Sequence, residues 1–157
     1  MKILVFSDSH NDVDTMYSIT TNENPDMILH LGDHIADGLE LQNHFRNITI
    51  HLVSGNTDRK DCYSEELFLN VSGKQLFITH GHLYNVKSGL TQIHQKGVSI
   101  EAHIVLFGHT HKPYLSYTDG MWLLNPGRIG RRPLKPSTYG VIRIEDEKIK
   151  CEIIEAK

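Results

Sequence analysis

The sequence predicts an α/β protein, a four-layer α/β/β/α sandwich of two mixed β-sheets flanked by helices, and three observations carry that reading. Short apolar runs alternate with amphipathic stretches from Ile3 to Val53, the pattern of a parallel sheet with helical crossovers. From Leu67 onward hairpin signals take over, with Ser72-Gly73-Lys74 and Asp119-Gly120 each set between two strand-like runs. Strand-like segments outnumber helical ones, so two sheets must bury each other's faces and leave the helices outside.

In order along the chain, Ile3–Phe6 is an unbroken apolar run, short and β-branched enough for a strand buried on both faces. Asp12 can cap a helix reaching about Asn22, with Val13, Met16, Tyr17 and Thr20 as its inner stripe, until Pro25-Asp26 breaks it. Met27–Leu31 is a second strand, a short helix follows around Leu39, Leu41 and Phe45, and Ile48–Val53 is a third strand. Leu67–Val71 and Gln75–Thr79 flank the first hairpin turn. Ser88–Lys96 reads as a helix closed by Gly97. His103–Phe107 is a strand, Tyr114–Thr118 and Met121–Leu124 flank the second turn, and Tyr139–Glu145 and Ile149–Ile154 close the sheets. No repeat, linker or low-complexity stretch interrupts the 157 residues, so a single domain over 1–157 is expected.

Composition narrows the function classes. With 39% hydrophobic and 22% charged residues the chain reads as an ordinary globular protein. A formal charge of −3 gives no field that would gather nucleic acid. Cys62 and Cys151 stand far apart in no metal-like spacing, as in a reduced intracellular protein. The apolar run after Lys2 is too short for a signal-peptide core or a membrane span, so the cytoplasm is expected.

Five strand-like runs end in polar knots: Asp8 and His10, Asp33, Asn56, His80, and His109 with His111. An Asp or Ser leaving a strand usually turns the chain or caps a helix, and any one of these knots has that reading. Five together are another matter, because ligands of α/β sheets bind beyond the carboxyl ends of strands. Gly32, Gly55, Gly81 and Gly108 beside them let the backbone turn or approach closely. Oxygen and nitrogen donors of this kind suit first-row divalent metals. Seven exceed the needs of one four-coordinate site, whereas two ions about 3.5–4 Å apart need a bridging carboxylate, for which Asp33 is the candidate.

In this order D-x-H, G-D, G-N-x-D, T-H-G-H and G-H-T-H resemble the motifs of the calcineurin-like metallophosphoesterases, in particular their small single-domain phosphodiesterase branch. Asn125-Pro126-Gly127 resembles a further loop of that family. The resemblance implies the metallo-dependent phosphatase fold and two divalent ions, manganese foremost, with nickel, zinc, iron or magnesium as alternatives. It assigns one ion to Asp8, His10, Asp33 and His111, and the other to Asp33, Asn56, His80 and His109. It implies hydrolysis of phosphodiesters by in-line attack of a metal-bridging hydroxide, with a small phosphate ester as substrate. The ligand histidines must be neutral, so activity should fall as pH drops through their range. Alternatives at the same site are a phosphomonoesterase or nucleotide phosphatase, or a weakly catalytic protein-binding scaffold such as the retromer subunit of this fold. Exposed hairpin edges are compatible with a homodimer or higher oligomer.

The chain departs from the family pattern at two places. Many relatives carry His after the Asn, and here Thr57 stands there, a poor proton donor. A missing general acid costs about 10²–10⁴-fold, so His82 is the candidate substitute. Arg128 replaces a common Ser and, with Arg131, Arg132 and Lys135, makes a basic patch. Arg128 is the candidate phosphate clamp, while Arg131 and Arg132 read as solvated charges. Among the other histidines, His30 and His103 read as core-edge residues and His44, His51 and His94 as surface ones. His34 is expected to line the pocket without being a ligand, and Trp122 to be core.

Overall fold

The structure is a computed structural model, and it describes residues 1–59, 63–130 and 136–156. Two five-stranded mixed sheets pack face to face with helices outside, as the alternation and the hairpin signals predict. The first sheet contains β1 (Lys2–Phe6), β2 (Met27–His30), β3 (Thr49–Leu52), β9 (Thr138–Glu145) and β10 (Lys148–Glu155), in the order β10-β9-β1-β2-β3. The second contains β4 (Glu66–Val71), β5 (Lys74–Thr79), β6 (Ile104–Leu106), β7 (Tyr114–Thr118) and β8 (Met121–Asn125), in the order β4-β5-β6-β8-β7. β1, β2 and β3 run parallel, as do β5, β6 and β8, while β9, β10, β4 and β7 pair antiparallel.

The two-fold alternation of β1 sorts its side chains. Ile3 and Val5 enter the core between the sheets with Leu29, Leu76, Ile78 and Ile104. Leu4 and Phe6 enter the core beneath helices α1 (Val13–Glu23) and α2 (Ile35–His44). A third cluster, including Phe77, Val105 and Phe107, lies beneath α3 (Thr91–Ser99). All four apolar residues Ile3–Phe6 are fully buried, each contributing about 1.5–3 kcal/mol by leaving water.

Local chemistry sets the boundaries. Asp12 caps α1 by accepting from the Thr15 amide at 3.3 Å, and Asn24 ends the helix in the left-handed region. The buried stripe is Thr15, Met16, Ile19 and Thr20; Val13 and Tyr17 pack only at its margin, so the helix is rotated from the expected face. α3 starts and ends three residues later than expected, and Gly97 is inside it. A Cβ there would lie 2.5 Å from Met121 Sδ and 2.6 Å from Val105 Cγ2. Its role is close packing against the sheet, and Ile100 takes the C-cap. At the Asp119-Gly120 turn both residues have positive φ, +51° and +77°, as a type I′ hairpin requires. Among the described residues no helix is long and apolar enough to cross a membrane.

Candidate metal centre

Because β1, β2 and β3 are parallel, their carboxyl ends share one edge of the first sheet, and β5 and β6 do the same in the second. Cross-sheet hydrogen bonds lock the two edges together. The His80 Nδ1–H donates to the Leu31 carbonyl at 2.7 Å and the His109 amide to Asp8 Oδ2 at 3.2 Å, while within the second sheet the Gly108 amide donates to the His80 carbonyl at 2.9 Å. The first bond leaves His80 Nε2 as the lone-pair nitrogen, oriented by a backbone carbonyl as in many metal-binding histidines.

Two groups of donor atoms result. Asp8, His10, Asp33 and His111 place one donor each within 4.8 Å of one another, and Asp33, His80 and His109 do likewise. Asp33 belongs to both. His111 Nε2 is 3.0 Å from Asp8 Oδ1, and His80 Nε2 is 3.4 Å from Asp33 Oδ1 and 3.2 Å from His109 Nδ1. Asp8 and His80 are fully buried and Asp33 nearly so. Such a convergence is costly without a cation, and the donor set fits one. Asp8 Oδ1 and His10 Nε2 are buried and form no hydrogen bond.

The electrostatics keep Asp8, Asp33, His10 and His109 in ligand form. Burial pushes the Asp33 carboxyl up, but the His80 ring and the Thr57 donors outweigh it and hold the group well below its usual range. Burial likewise raises Asp8, and His111, the His80 charge and the Ser7 hydroxyl more than reverse it. Burial, reinforced by the charges of His80 and Lys87, brings His109 down to about 4 and so leaves it neutral at pH 7. His10 is lowered by burial and by Arg128 and His34. His80 alone is raised, because Asp33 and Asp8 overcome its burial; a cation at this position must displace a proton.

The backbone is as unusual as the side chains. Asp8, His10, Asp33, His109 and His111 all have positive φ, between +47° and +65°. Non-glycine residues in the left-handed region cost of order 1–3 kcal/mol where strained, and they concentrate at functional sites. Two glycines make room for this geometry. A Cβ on Gly55 would lie 2.2 Å from Asp33 Oδ1, and one on Gly108 would lie 2.0 Å from Ser7 Oγ.

Three supports beneath the ligands have no counterpart in the sequence reading. Asp58 accepts from the amides of Asp33 at 2.9 Å, Ile35 at 2.8 Å and Gly55 at 2.8 Å, tying the loop after β2 to the loop after β3. Asp37 accepts from the Ser9 hydroxyl at 2.6 Å and the Asn11 amide at 2.8 Å, and Ser9 Oγ also lies 3.2 Å from His30 Nε2. Asn125 donates to the Gly108 carbonyl at 2.8 Å and accepts from the Gly127 amide at 2.9 Å. Asp58 stands in G-N-x-D and Asn125 in N-P-G, so both were visible as motif letters. Only the fold reveals which amides they satisfy.

The remaining candidates fall around this centre. Asn56 is exposed on the wall of a groove of about 600 Å³ shared with Arg59, Tyr63 and His82. The Thr57 amide donates to Asp33 Oδ1 at 3.1 Å, and its hydroxyl also bears on that carboxylate. The His82 ring lies 5.6 Å from His80 and 6.1 Å from His109, with Nε2 at 3.1 Å from Glu65 and Nδ1 buried without a partner. Arg128 lies beside His10, and its Nε donates to the Gly130 carbonyl at 2.9 Å. Arg131, Arg132, Lys135 and Cys62 lie outside the described residues.

The His34 ring lies 4.8 Å from that of His10, tilted by 58°, and its Nδ1 is 3.3 Å from Asn11 Oδ1. His30 is fully buried, and His103 Nδ1 accepts from the Gln75 amide at 3.1 Å. His44 packs on Tyr17, His51 is half-buried, and His94 pairs with Asp119 at 3.1 Å. Trp122 is half-buried against Tyr117.

Comparison with known proteins points the same way. The chain is 25% identical over 179 aligned positions to a phosphodiesterase of Methanocaldococcus jannaschii, covering 99% of this chain and 100% of that one. Its fold matches a Streptococcus pneumoniae protein described as a predicted phosphoesterase, with a TM-score of 0.82 and 27% identity over 99% of this chain and 89% of the other. It also matches Vps29 of Entamoeba histolytica in complex with zinc, with a TM-score of 0.75 over 100% of both chains, where 20% identity shows a shared fold alone. The model of the calcineurin-like phosphoesterase superfamily domain matches residues 1–147, which include every candidate ligand from Asp8 to His111. On that match and on the convergence of its parallel strand ends, this chain belongs to the calcineurin-like phosphoesterase superfamily.

Proposed function

We propose that this chain hydrolyses phosphodiesters using two divalent cations. The observation that carries the reading is the membership of Asp33 in both donor groups, since one carboxylate common to two ligand sets is what a two-ion site needs. Asp8, His10, Asp33 and His111 would hold one ion, and Asp33, His80 and His109, with Asn56, the other. The ions, when bound, supply Lewis acidity: they lower the pKa of a nucleophilic water and offset charge on the phosphoryl oxygens.

The rest of the work falls to the chain itself. The Leu31 carbonyl holds a proton on His80 Nδ1, so Nε2 is the nitrogen that would ligate once a cation displaces its proton. Thr57 holds Asp33 rather than acting as an acid, and this leaves proton donation to His82. Glu65 lies 3.1 Å from His82 Nε2 and orients the ring, and Nδ1, which has no hydrogen-bond partner, is the nitrogen left to carry the proton for the leaving oxygen. Arg128, at the His10 edge, orients a nonbridging phosphate oxygen. Manganese is the first ion to try, because oxygen and imidazole donors follow availability as much as affinity.

Hydrolysis of bis(p-nitrophenyl) phosphate and p-nitrophenyl phosphate with Mn²⁺, Ni²⁺, Zn²⁺, Fe²⁺ or Mg²⁺ tests this. Turnover favouring the diester supports the reading, and turnover favouring the monoester replaces it with a phosphatase. Bound metal with neither activity would leave the protein-binding scaffold.

A further inference from the structure

A second cavity, of about 500 Å³, opens next to the candidate metal centre and shares no lining residue with the groove of Asn56 and His82. It is joined to the centre through Thr110, which stands between His109 and His111. Its floor is apolar: Val86 and Phe107 are buried, Leu90 is half-buried, and Tyr114 is 41% exposed with its ring 6.3 Å from that of Phe107. Its rim is cationic. Lys87 and Lys112 are exposed there, and neither has an ion-pair partner among the described residues. Lys87 is also close enough to act on His109 by its charge.

An apolar floor with an accessible aromatic ring takes a flat ring, and two unpaired ammonium groups take negative charge. A volume of this size accommodates a nucleoside. We infer that this cavity is the binding site for the nucleoside part of a nucleotide-bearing phosphoester, its base against Tyr114 and its additional phosphate between Lys87 and Lys112. The inference deepens the proposed function and rests on it, since the scissile phosphate would sit at the metal centre while the ring occupies the cavity. A surface that is net acidic overall thus carries a local pair of cations where a multiply charged substrate would need them.

Binding measured apart from hydrolysis tests it. The full chain loaded with Mn²⁺ would be titrated calorimetrically with α,β-methylene adenosine diphosphate, whose P–C–P link resists hydrolysis, and with methylenediphosphonate, which lacks the nucleoside. The nucleoside should raise affinity at least about tenfold, and Tyr114→Ala should remove most of that gain. Lys87→Ala/Lys112→Ala should weaken the nucleotide analogue about tenfold or more. All three side chains are exposed, so these substitutions leave the fold nearly unperturbed, and thermal unfolding would verify this. Equal affinity for the two phosphonates, or variants within about twofold of the parent, would overturn the assignment. The readout is separate from turnover: tight nucleoside-dependent binding without diester hydrolysis would refute the proposed reaction and leave the cavity assigned.

Discussion

Replacing Asp58 tests whether the ligand loops are held from beneath. Its carboxylate receives three backbone amides, from Asp33, Ile35 and Gly55, all within 2.9 Å. A hydrogen bond to a charged group contributes about 1.5–3 kcal/mol. Asp58 is half-buried, so water can replace part of what Asp58→Ala removes, and the expected loss is about 3 kcal/mol rather than the full sum. For a chain of this size, each kcal/mol moves the midpoint by roughly 2–4 °C, giving a drop of roughly 6–12 °C. Asp58→Asn is the sharper variant. Oδ2 accepts from Asp33 and Gly55 while Oδ1 accepts from Ile35; an amide can keep the first pair only by turning its NH₂ toward the Ile35 N–H. Roughly half the destabilisation should remain. Because the lost bonds fix the backbone of Asp33, Mn²⁺ affinity should also fall by roughly 10–100-fold. Calorimetric melting and metal titration would measure both. A midpoint within about 1 °C of the parent, with undiminished metal binding, would refute the idea that Asp58 organises the site.

Other perturbations reach other parts of the same reasoning. Asp33→Ala should abolish nearly all turnover and reduce bound metal to less than one equivalent by elemental analysis; near-normal activity would remove Asp33 from the bridging position. Gly108→Ala sets a methyl 2.0 Å from Ser7 Oγ and 3.0 Å from Asp8 Oδ2, costing about 1–3 kcal/mol. Adding Ser7→Ala should recover part of it in urea unfolding. In the chelated chain, stability should fall first through an imidazole. His30, with burial bringing it down to about 4 from 6.5, stays neutral while the unfolded chain takes up a proton. About 3 kcal/mol is then lost as pH falls from 6.5 to 4, and a His30→Asn variant should lose correspondingly less. Asp8 and Asp33 act later: their folded values lie below 3.8, so their contribution is complete above that pH and disappears only in stronger acid. Equal pH profiles for parent and His30→Asn would refute the imidazole assignment.

Much of this arrangement was legible because buried strands and their polar ends are written locally. Ile3–Phe6 announces a strand with two covered faces, and Asp119-Gly120 announces its turn, since each depends on neighbours in the chain. The convergence of Asp8, Asp33, His80 and His109 could be anticipated from parallel topology, because strands that share a direction share an end. The α3 boundary was not legible. Gly97 looks like a helix stop, yet it serves a contact with Met121 and Val105, residues supplied by distant strands. The roles of Asp58 and Asp37 escaped for the same reason: a carboxylate accepting amides from another loop has no spacing of its own. Thr57, visible as a departure from the family pattern, gains meaning only beside Asp33.

The left-handed backbone at Asp8, His10, Asp33, His109 and His111 has a bearing on how such a protein can change over generations. Any replacement at these places is filtered first by main-chain shape and only then by chemistry, so Val, Ile and Thr are barred whatever the ligand demands. Besides the Asp and His already there, Asn and Gly are the residues that tolerate the geometry most readily. A lineage that gave up its cations could therefore accept Asn or Gly there and keep the loops in place, with the architecture outlasting the reaction.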